Sequence, residues 1–428
     1  MKNKSWVKKI DFKALARKIL ECEPYTLLIC LLILAGLSIF NCVVEKINPS
    51  AEIKIFNWAV FFTILCTAVV NWGSELIKKL VGKRIEDSAK LTENYERLNT
   101  IYILEDKVMY DNLSASTQNI NALIKNELQP TQTIPISPSY DIFDLDVKIY
   151  DKKQSYFLPK IIENNAKELF AAHSNSKYYN ALHIRVYDWK IQNGEFCIYT
   201  SRTTFYNSLL TNRMMDYKWS NGFTVRDLFE CGPFLSELSN SSLSNHLGFN
   251  GFIESSDGYI MFIRRWGDIS IGKNTYGSSV SGSIKTKYAL DRNGDFSAYG
   301  LLNSIIGEIN DETKINRSNI NGFTLKDNVF AAYRELVEGG KPQLVFYATV
   351  DIDRDAIEEE FIRHVKGKKY NEFIEDGKYL LWINRNELLN ICICADGIIY
   401  DGKRYKMLPT ITGSLVLLIN YLKNKRLL

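Results

Sequence analysis

The sequence predicts an α+β protein carried behind an N-terminal two-helix transmembrane hairpin and a helical stalk. Three observations lead there. Two uncharged apolar runs stand within the first eighty residues. A stretch with helical periodicity and neither Pro nor Gly follows them. The remainder mixes short alternating strands with helices, without regular β-α-β alternation. At 428 residues, 46% hydrophobic and 24% charged, the chain is neither disordered nor fibrous. Its length allows about three average domains and a core that needs no disulfide or structural metal. Fifty-three Lys and Arg against 49 Asp and Glu leave a formal charge of +4, too even a balance to suggest binding of a nucleic-acid duplex.

The elements follow in order. Residues 1–24 form a basic tail and residues 25–77 the hairpin. From Tyr25 to Val44 the chain carries no charge. As a helix at about 1.5 Å per residue, that run matches the hydrocarbon thickness of a bilayer. Ile55 to Trp72 makes the second span, extended by Gly73, Ser74, Leu76 and Ile77, with Trp58 and Trp72 near its ends. A cleaved signal peptide would lack this second run, and a buried core helix would carry a polar stripe. Lys2, Lys4, Lys8, Lys9, Lys13, Arg17 and Lys18 precede the spans, and Lys78, Lys79, Lys83 and Arg84 follow them. The loop between holds only Lys46 and Lys54. The positive-inside rule puts both termini and the folded part in the cytoplasm of a multi-pass cell-membrane protein.

Residues 85–128 read as a stalk, with Leu91, Tyr95, Leu98, Ile101 and Tyr102 at three- and four-residue steps on a solvated helix. The stalk and spans offer a route to homo-oligomers. Pro130, Pro135 and Pro138 break the chain into a linker. An upstream α+β subdomain spans 140–245, a second domain 246–390, and a strand with an amphipathic helix 391–428. His183–Trp189 and Glu195–Thr200 form one hairpin through Asn193-Gly194, and Gly248–Arg265 another through Asp257-Gly258. Gln343–Ile352 and Gly377–Ile383 add strands, and 299–313, 325–338 and 354–366 read as helices. Cys392 and Cys394 alternate with Ile391 and Ile393 on a half-buried strand. No cysteine spacing suggests zinc.

The chemistry concentrates in LLNSIIGEINDETKI, Leu301 to Ile315. On a helix, Leu301, Leu302, Ile305, Ile306 and Ile309 form one apolar stripe, and Glu308, Asp311 and Glu312 cluster beside it at i, i+3 and i+4. Crowded carboxylates repel unless a cation neutralises them. Hard divalent ions prefer such oxygens and reach substrates through their phosphates. The competing reading is a solvated acidic face. Arg264 and Arg265, ending the strand that leads toward this helix, could hold a diphosphate. The alternative for them is a pair of surface strand-end arginines. Glu358, Glu359 and Glu360 read as a solvated helix face. His173, His183, His246 and His364 show no ligand spacing.

The segment Gly307-Glu308-Ile309-Asn310-Asp311-Glu312 resembles the R-E-U-x-E-E core of the Nudix box, written G-x5-E-x7-R-E-U-x-E-E-x-G-U. In that resemblance Gly307 replaces the box arginine, Lys314 the terminal glycine, and Tyr299 the upstream glutamate. Gly282, in SSVSGSIKT, looks like the box glycine displaced by an insertion. Leu243–Arg265, Tyr178–Trp189, Arg202–Asn212 and Lys341–Glu360 look like segments of the UDP-sugar diphosphatase-like branch, so the resemblance covers about 140–385. It implies a mixed-sheet Nudix fold behind an upstream subdomain. It also implies Mg²⁺ (or Mn²⁺) on Glu308, Asp311 and Glu312; Gly282, as the displaced box glycine, joins Arg264 and Arg265 as the candidate substrate-binding residues. The activity implied is Mg²⁺-dependent cleavage of the diphosphate in a nucleotide sugar such as a UDP-sugar. A two-span hairpin joined to such a domain also resembles effectors of bacterial cyclic-oligonucleotide antiphage systems. There the fold binds a nucleotide signal, and the hairpins oligomerise and disrupt the membrane.

Overall fold

The computed structural model describes residues 46–47, 91–103, 134–137, 139–167, 180–265, 274–367 and 379–428. The expected spans and basic tail fall outside this set, as does most of the stalk. Among the described residues, no helix is long and apolar enough to cross a membrane. Nearly all of the described fold belongs to the unit Glu86–Leu428. It is α+β, with helices set around three sheets.

Helix α1 (Tyr95–Ile101) is capped by Asn94, whose side chain accepts from the Arg97 N–H at 3.0 Å. Its Leu98 and the following Tyr102 are buried against Leu235, Leu336 and Val337. The periodicity that predicts a helix here therefore marks a docking face, and this part of the expected solvated stalk is packed. Tyr102 anchors it by donating to the Glu230 carbonyl at 2.7 Å.

Strand β1 (Tyr140–Asp141) joins the large sheet, while β2 (Asp146–Ser155), β3 (Leu182–Gln192) and β4 (Glu195–Thr204) form a small one in the order β2-β4-β3. The β3–β4 hairpin turns at Asn193 and Gly194, both at positive φ, as the Asn-Gly pair predicts. Ile184, Val186, Phe196 and Ile198 point inward from it and are fully buried.

The large sheet is built from β5 (Gly248–Glu254), β6 (Tyr259–Arg264), β7 (Tyr276–Gly277), β8 (Val280–Ser283), β9 (Val329–Glu335), β10 (Lys341–Thr349) and β11 (Tyr379–Asn384). Its order is β1-β9-β10-β5-β6-β11, with β8 beside β5 and β7 beside β6. Only β10 and β5 run parallel; every other pair is antiparallel. The expected β5–β6 hairpin holds at its Asp257-Gly258 turn, where Glu254 pairs with Ile260. Beyond it the strands part, and β8 takes up the edge of β5 from Gly248 to Gly251.

Two helix layers cover this sheet. On one face lie α2 (Thr286–Ala289), α3 (Ala298–Thr313) and α4 (Arg354–Gly367). There Leu301, Ile305, Ile309, Ile357 and Phe361 meet Phe249, Leu344 and Phe346 in a core that also takes in the inner face of the small sheet. On the other face lies α5 (Pro409–Asn424), whose Ile411, Leu415, Leu418 and Leu422 meet Phe252, Phe262, Tyr333 and Val345. A small antiparallel sheet, β12 (Cys392–Cys394), β13 (Gly397–Tyr400) and β14 (Lys403–Lys406), leads into α5. The amphipathic helix expected within 391–428 is thus a core element.

One expected helix is corrected. Residues 325–338 give a single helical turn, Leu325–Asn328, and then strand β9. β9 is buried on both faces, so its run VFAAY lacks the alternation that marks a half-exposed strand.

Candidate functional site

Helix α3 carries the acids. Ser297 caps it by accepting from the Gly300 N–H at 3.3 Å, and Lys314 ends it in the left-handed region at φ 65°. The stripe Leu301, Ile305, Ile306 and Ile309 is buried as predicted. Glu308, one step round the helix from Ile309, is carried inward with it and is only 2% exposed.

Glu308 and Glu312 face β8. The Ser281 N–H donates to Glu312 Oε2 at 3.1 Å, and Lys285 Nζ stands 3.4 Å from Glu308 Oε2. Gly282 lies beside Glu308: a Cβ there would come 3.1 Å from the Phe249 ring and 3.8 Å from Glu308 Oε2. The structure therefore brings Gly282 to the acids, across the long intervening segment. Burial, and then the charge of Glu308, push the Glu312 carboxyl well above its ordinary range. The Ser281 N–H, Arg265 and Lys285 pull against that shift.

Arg265 lies near enough for its charge to act on Glu312, and a Cβ on Gly277 would come 3.8 Å from its Cδ. Arg264 points elsewhere, its guanidinium 5.8 Å from the centre of the Tyr379 ring.

Asp311 is also drawn away. The Tyr288 hydroxyl donates to Asp311 Oδ2 at 2.6 Å, and Lys287 Nζ lies 3.8 Å from the same oxygen. Burial, followed by the hydrogen bond to Asp311, raises the Tyr288 phenol above its usual value. Among the described residues, no three of His, Cys, Asp and Glu gather closely enough to hold a metal ion. The expected three-acid cluster is a pair, Glu308 with Glu312, and a third carboxylate turned toward α2. That pair could still seat Mg²⁺, an ion that keeps several waters and commonly takes one or two protein carboxylates together with substrate phosphates.

Sequence reasoning missed Lys285, Tyr288 and the Ser281 N–H, all within SSVSGSIKTKYAL. The cue was available in part, since a segment inserted between a box glycine and its helix must pack somewhere near that helix. Glu358 accepts from the Trp382 indole at 3.2 Å, and Glu359 and Glu360 pair with Arg363 at the surface, as a solvated face would.

The small sheet secures the approach to α3. Arg202 and Asp151, both almost fully buried, form a bidentate pair with both N–O distances 2.6 Å. Arg202 also donates to the Gly294 carbonyl at 2.9 Å, and Asp151 accepts from the Phe296 N–H at 2.9 Å. Burial opposes the charge on Asp151, but these hydrogen bonds outweigh it and hold the carboxyl below its usual value. The turn entering α3 is tied to β2 and β4 in this way.

Fold and site together define an α+β protein with a close acid pair, one member buried and the other half-buried, on a helix that packs against a mixed sheet. No protein-family model matches the chain, and no curated protein matches it either.

Proposed function

We propose that this chain is a membrane-anchored, cytosol-facing hydrolase of the Nudix type. In this reading it cleaves the diphosphate of a nucleoside-diphosphate-linked substrate such as a UDP-sugar, with Mg²⁺ or Mn²⁺. The observation that carries the reading is the pair of buried Glu308 and half-buried Glu312, set against Ser281 and Gly282, with Lys285 beside Glu308 and the charge of Arg265 acting on Glu312. Two like charges held close together favour a cation between them.

Glu308 and Glu312 would hold the ion, which would supply Lewis-acid polarisation of a phosphoryl oxygen and an activated water. Gly282 brings the backbone of β8 close beside Glu308, with no side chain between them. Lys285 and Arg265 neutralise charge that builds on the diphosphate, with no reorganisation needed at the moment of reaction. The water oxygen bonds to phosphorus as the bridging P–O bond breaks, so a UDP-sugar gives UMP and a sugar 1-phosphate. The bridging oxygen leaves with one product, and the proton lost by water passes to solvent.

A second reading is a nucleotide-gated membrane effector, in which the domain binds its ligand without turnover and the hairpins oligomerise to breach the membrane. The separation of Asp311 from the other two acids favours it. The test uses the full-length protein in lipid nanodiscs, with UDP-sugars, ADP-ribose, dinucleoside polyphosphates and cyclic oligonucleotides, with and without Mg²⁺. Turnover abolished in Glu308→Gln supports the hydrolase. Tight binding without turnover, joined to ligand-dependent leakage of vesicles, replaces it with the effector.

A further inference from the structure

The face of α3 turned toward α2 is made of small residues. Gly300, Ser304 and Gly307 stand at i, i+4 and i+7, so they stack on one side of the helix. α2 fills that side. A Cβ on Gly300 would fall 1.9 Å from the Ala289 carbonyl oxygen, and one on Gly307 would fall 2.9 Å from the Tyr288 ring. Glycine at 307, where the resemblance expects arginine, is therefore the notch that receives Tyr288.

Seated there, the Tyr288 hydroxyl reaches Asp311. Lys287 closes the arrangement: its Nζ lies 2.6 Å from the Tyr288 oxygen, 4.3 Å above the Tyr288 ring and 3.8 Å from Asp311. Asp311 thus has a neutral donor and a cation already in place, while Glu308 and Glu312 stand on the side facing β8.

We infer that Tyr288 is a positioning residue that withholds Asp311 from the Glu308–Glu312 pair. This rests on the reading of that pair as a divalent-ion seat. Asp311 lies one helical turn beyond Glu308, so it is the carboxylate on this helix placed to join the pair once the phenol no longer holds it. The notch makes the exchange adjustable. With Tyr288 seated, the ion has two carboxylates; with Tyr288 withdrawn, it has three.

The test measures Mn²⁺ affinity of the full-length protein by electron paramagnetic resonance. Tyr288→Phe keeps the ring in its notch and removes only the hydroxyl. It should tighten Mn²⁺ binding about tenfold, because a charge-assisted hydrogen bond no longer competes. Asp311→Asn alone should change affinity little, and in the Tyr288→Phe background it should erase the gain. A purely structural tyrosine would not show that coupling. Gly307→Ala, which crowds the ring out, should tighten binding as well. Unchanged affinity in Tyr288→Phe, or a gain that survives Asp311→Asn, overturns the inference. If Glu308→Gln and Glu312→Gln leave Mn²⁺ binding as it is in the unaltered protein, the ion seat itself is wrong, and the two failures are told apart.

Discussion

Glu308 and Asp311 are three residues apart on one helix, yet their surroundings differ sharply. Glu308 is buried beside Lys285, whereas Asp311 is half exposed and bonded to a phenol. The proposed hydrolase should respond accordingly. Glu308→Gln or Glu312→Gln should lower Mg²⁺-dependent turnover at least about a hundredfold, the scale of losing a preorganised electrostatic group. Asp311→Asn should cost no more than about tenfold. Equal losses at all three positions, measured as kcat/KM on the best substrate, would contradict the division into a pair and a withheld acid. Arg202 offers a test of stability. Arg202→Met leaves Asp151 buried without its bidentate partner, so urea unfolding should show a loss of about 3 kcal/mol. A change under about 1 kcal/mol would mean that water enters and solvates Asp151.

At the scale of elements, α2 and α3 are fitted together by absence of side chains. Gly300→Ala drives a methyl into the Ala289 carbonyl, and overpacking of this kind costs about 1–3 kcal/mol. That loss outweighs the gain of about 1 kcal/mol in helix propensity from replacing glycine, so thermal unfolding should come at a lower temperature. A rise would mean that α2 swings clear. This fit was not legible in the sequence. The stripe Leu301, Ile305, Ile309 shows in the spacing because a helix has a fixed period. What sits on the opposite face depends on a four-residue turn whose position no periodicity encodes. The hairpins at Asn193-Gly194 and Asp257-Gly258 were legible because Asn193, Gly194 and Gly258 sit at positive φ, which favours Gly and Asn. β9 was not, since burial on both faces erases alternation.

At the scale of the molecule, the seam between the small and large sheets holds a buried histidine pair. His183 and His246 lie with ring centres 5.6 Å apart, joined to their neighbours by bridges to Lys285 and Arg185. Lys285, Lys341 and Arg213 face them, and Glu335 and Glu338 lie against Lys341 and Arg213. Burial, and then these cations, push His183 down to about 3 and His246 well below its ordinary value. A histidine whose folded pKa is depressed costs nothing above its unfolded value. It removes stability as pH falls from about 6.5 toward about 3, because only the unfolded chain takes up the proton freely. Glu335, raised to about 7 by burial and then by Glu338, works the other way between about 4.5 and 7. Its contribution is common to both proteins when His183→Gln is compared with the unaltered chain. Between pH 6 and pH 4, the variant should lose stability more slowly by about 1 kcal/mol per pH unit. Parallel slopes in chemical denaturation would show that the seam opens before the histidines titrate.

The placement of α5 has a consequence for how the protein is made. Chains leave the ribosome from residue 1 onward, so β5, β6, β9 and β10 emerge well before residues 409–424. Until those residues follow, Phe252, Phe262, Tyr333 and Val345 form a wet apolar slab on a sheet whose other face is already covered. Such a surface invites association between nascent chains at cellular concentrations. Translation stalled at Leu408 should therefore yield a species that binds holdase chaperones and aggregates without them, and release of the remaining residues should resolve it. The helix that closes the sheet also sets how long the chain must be sheltered.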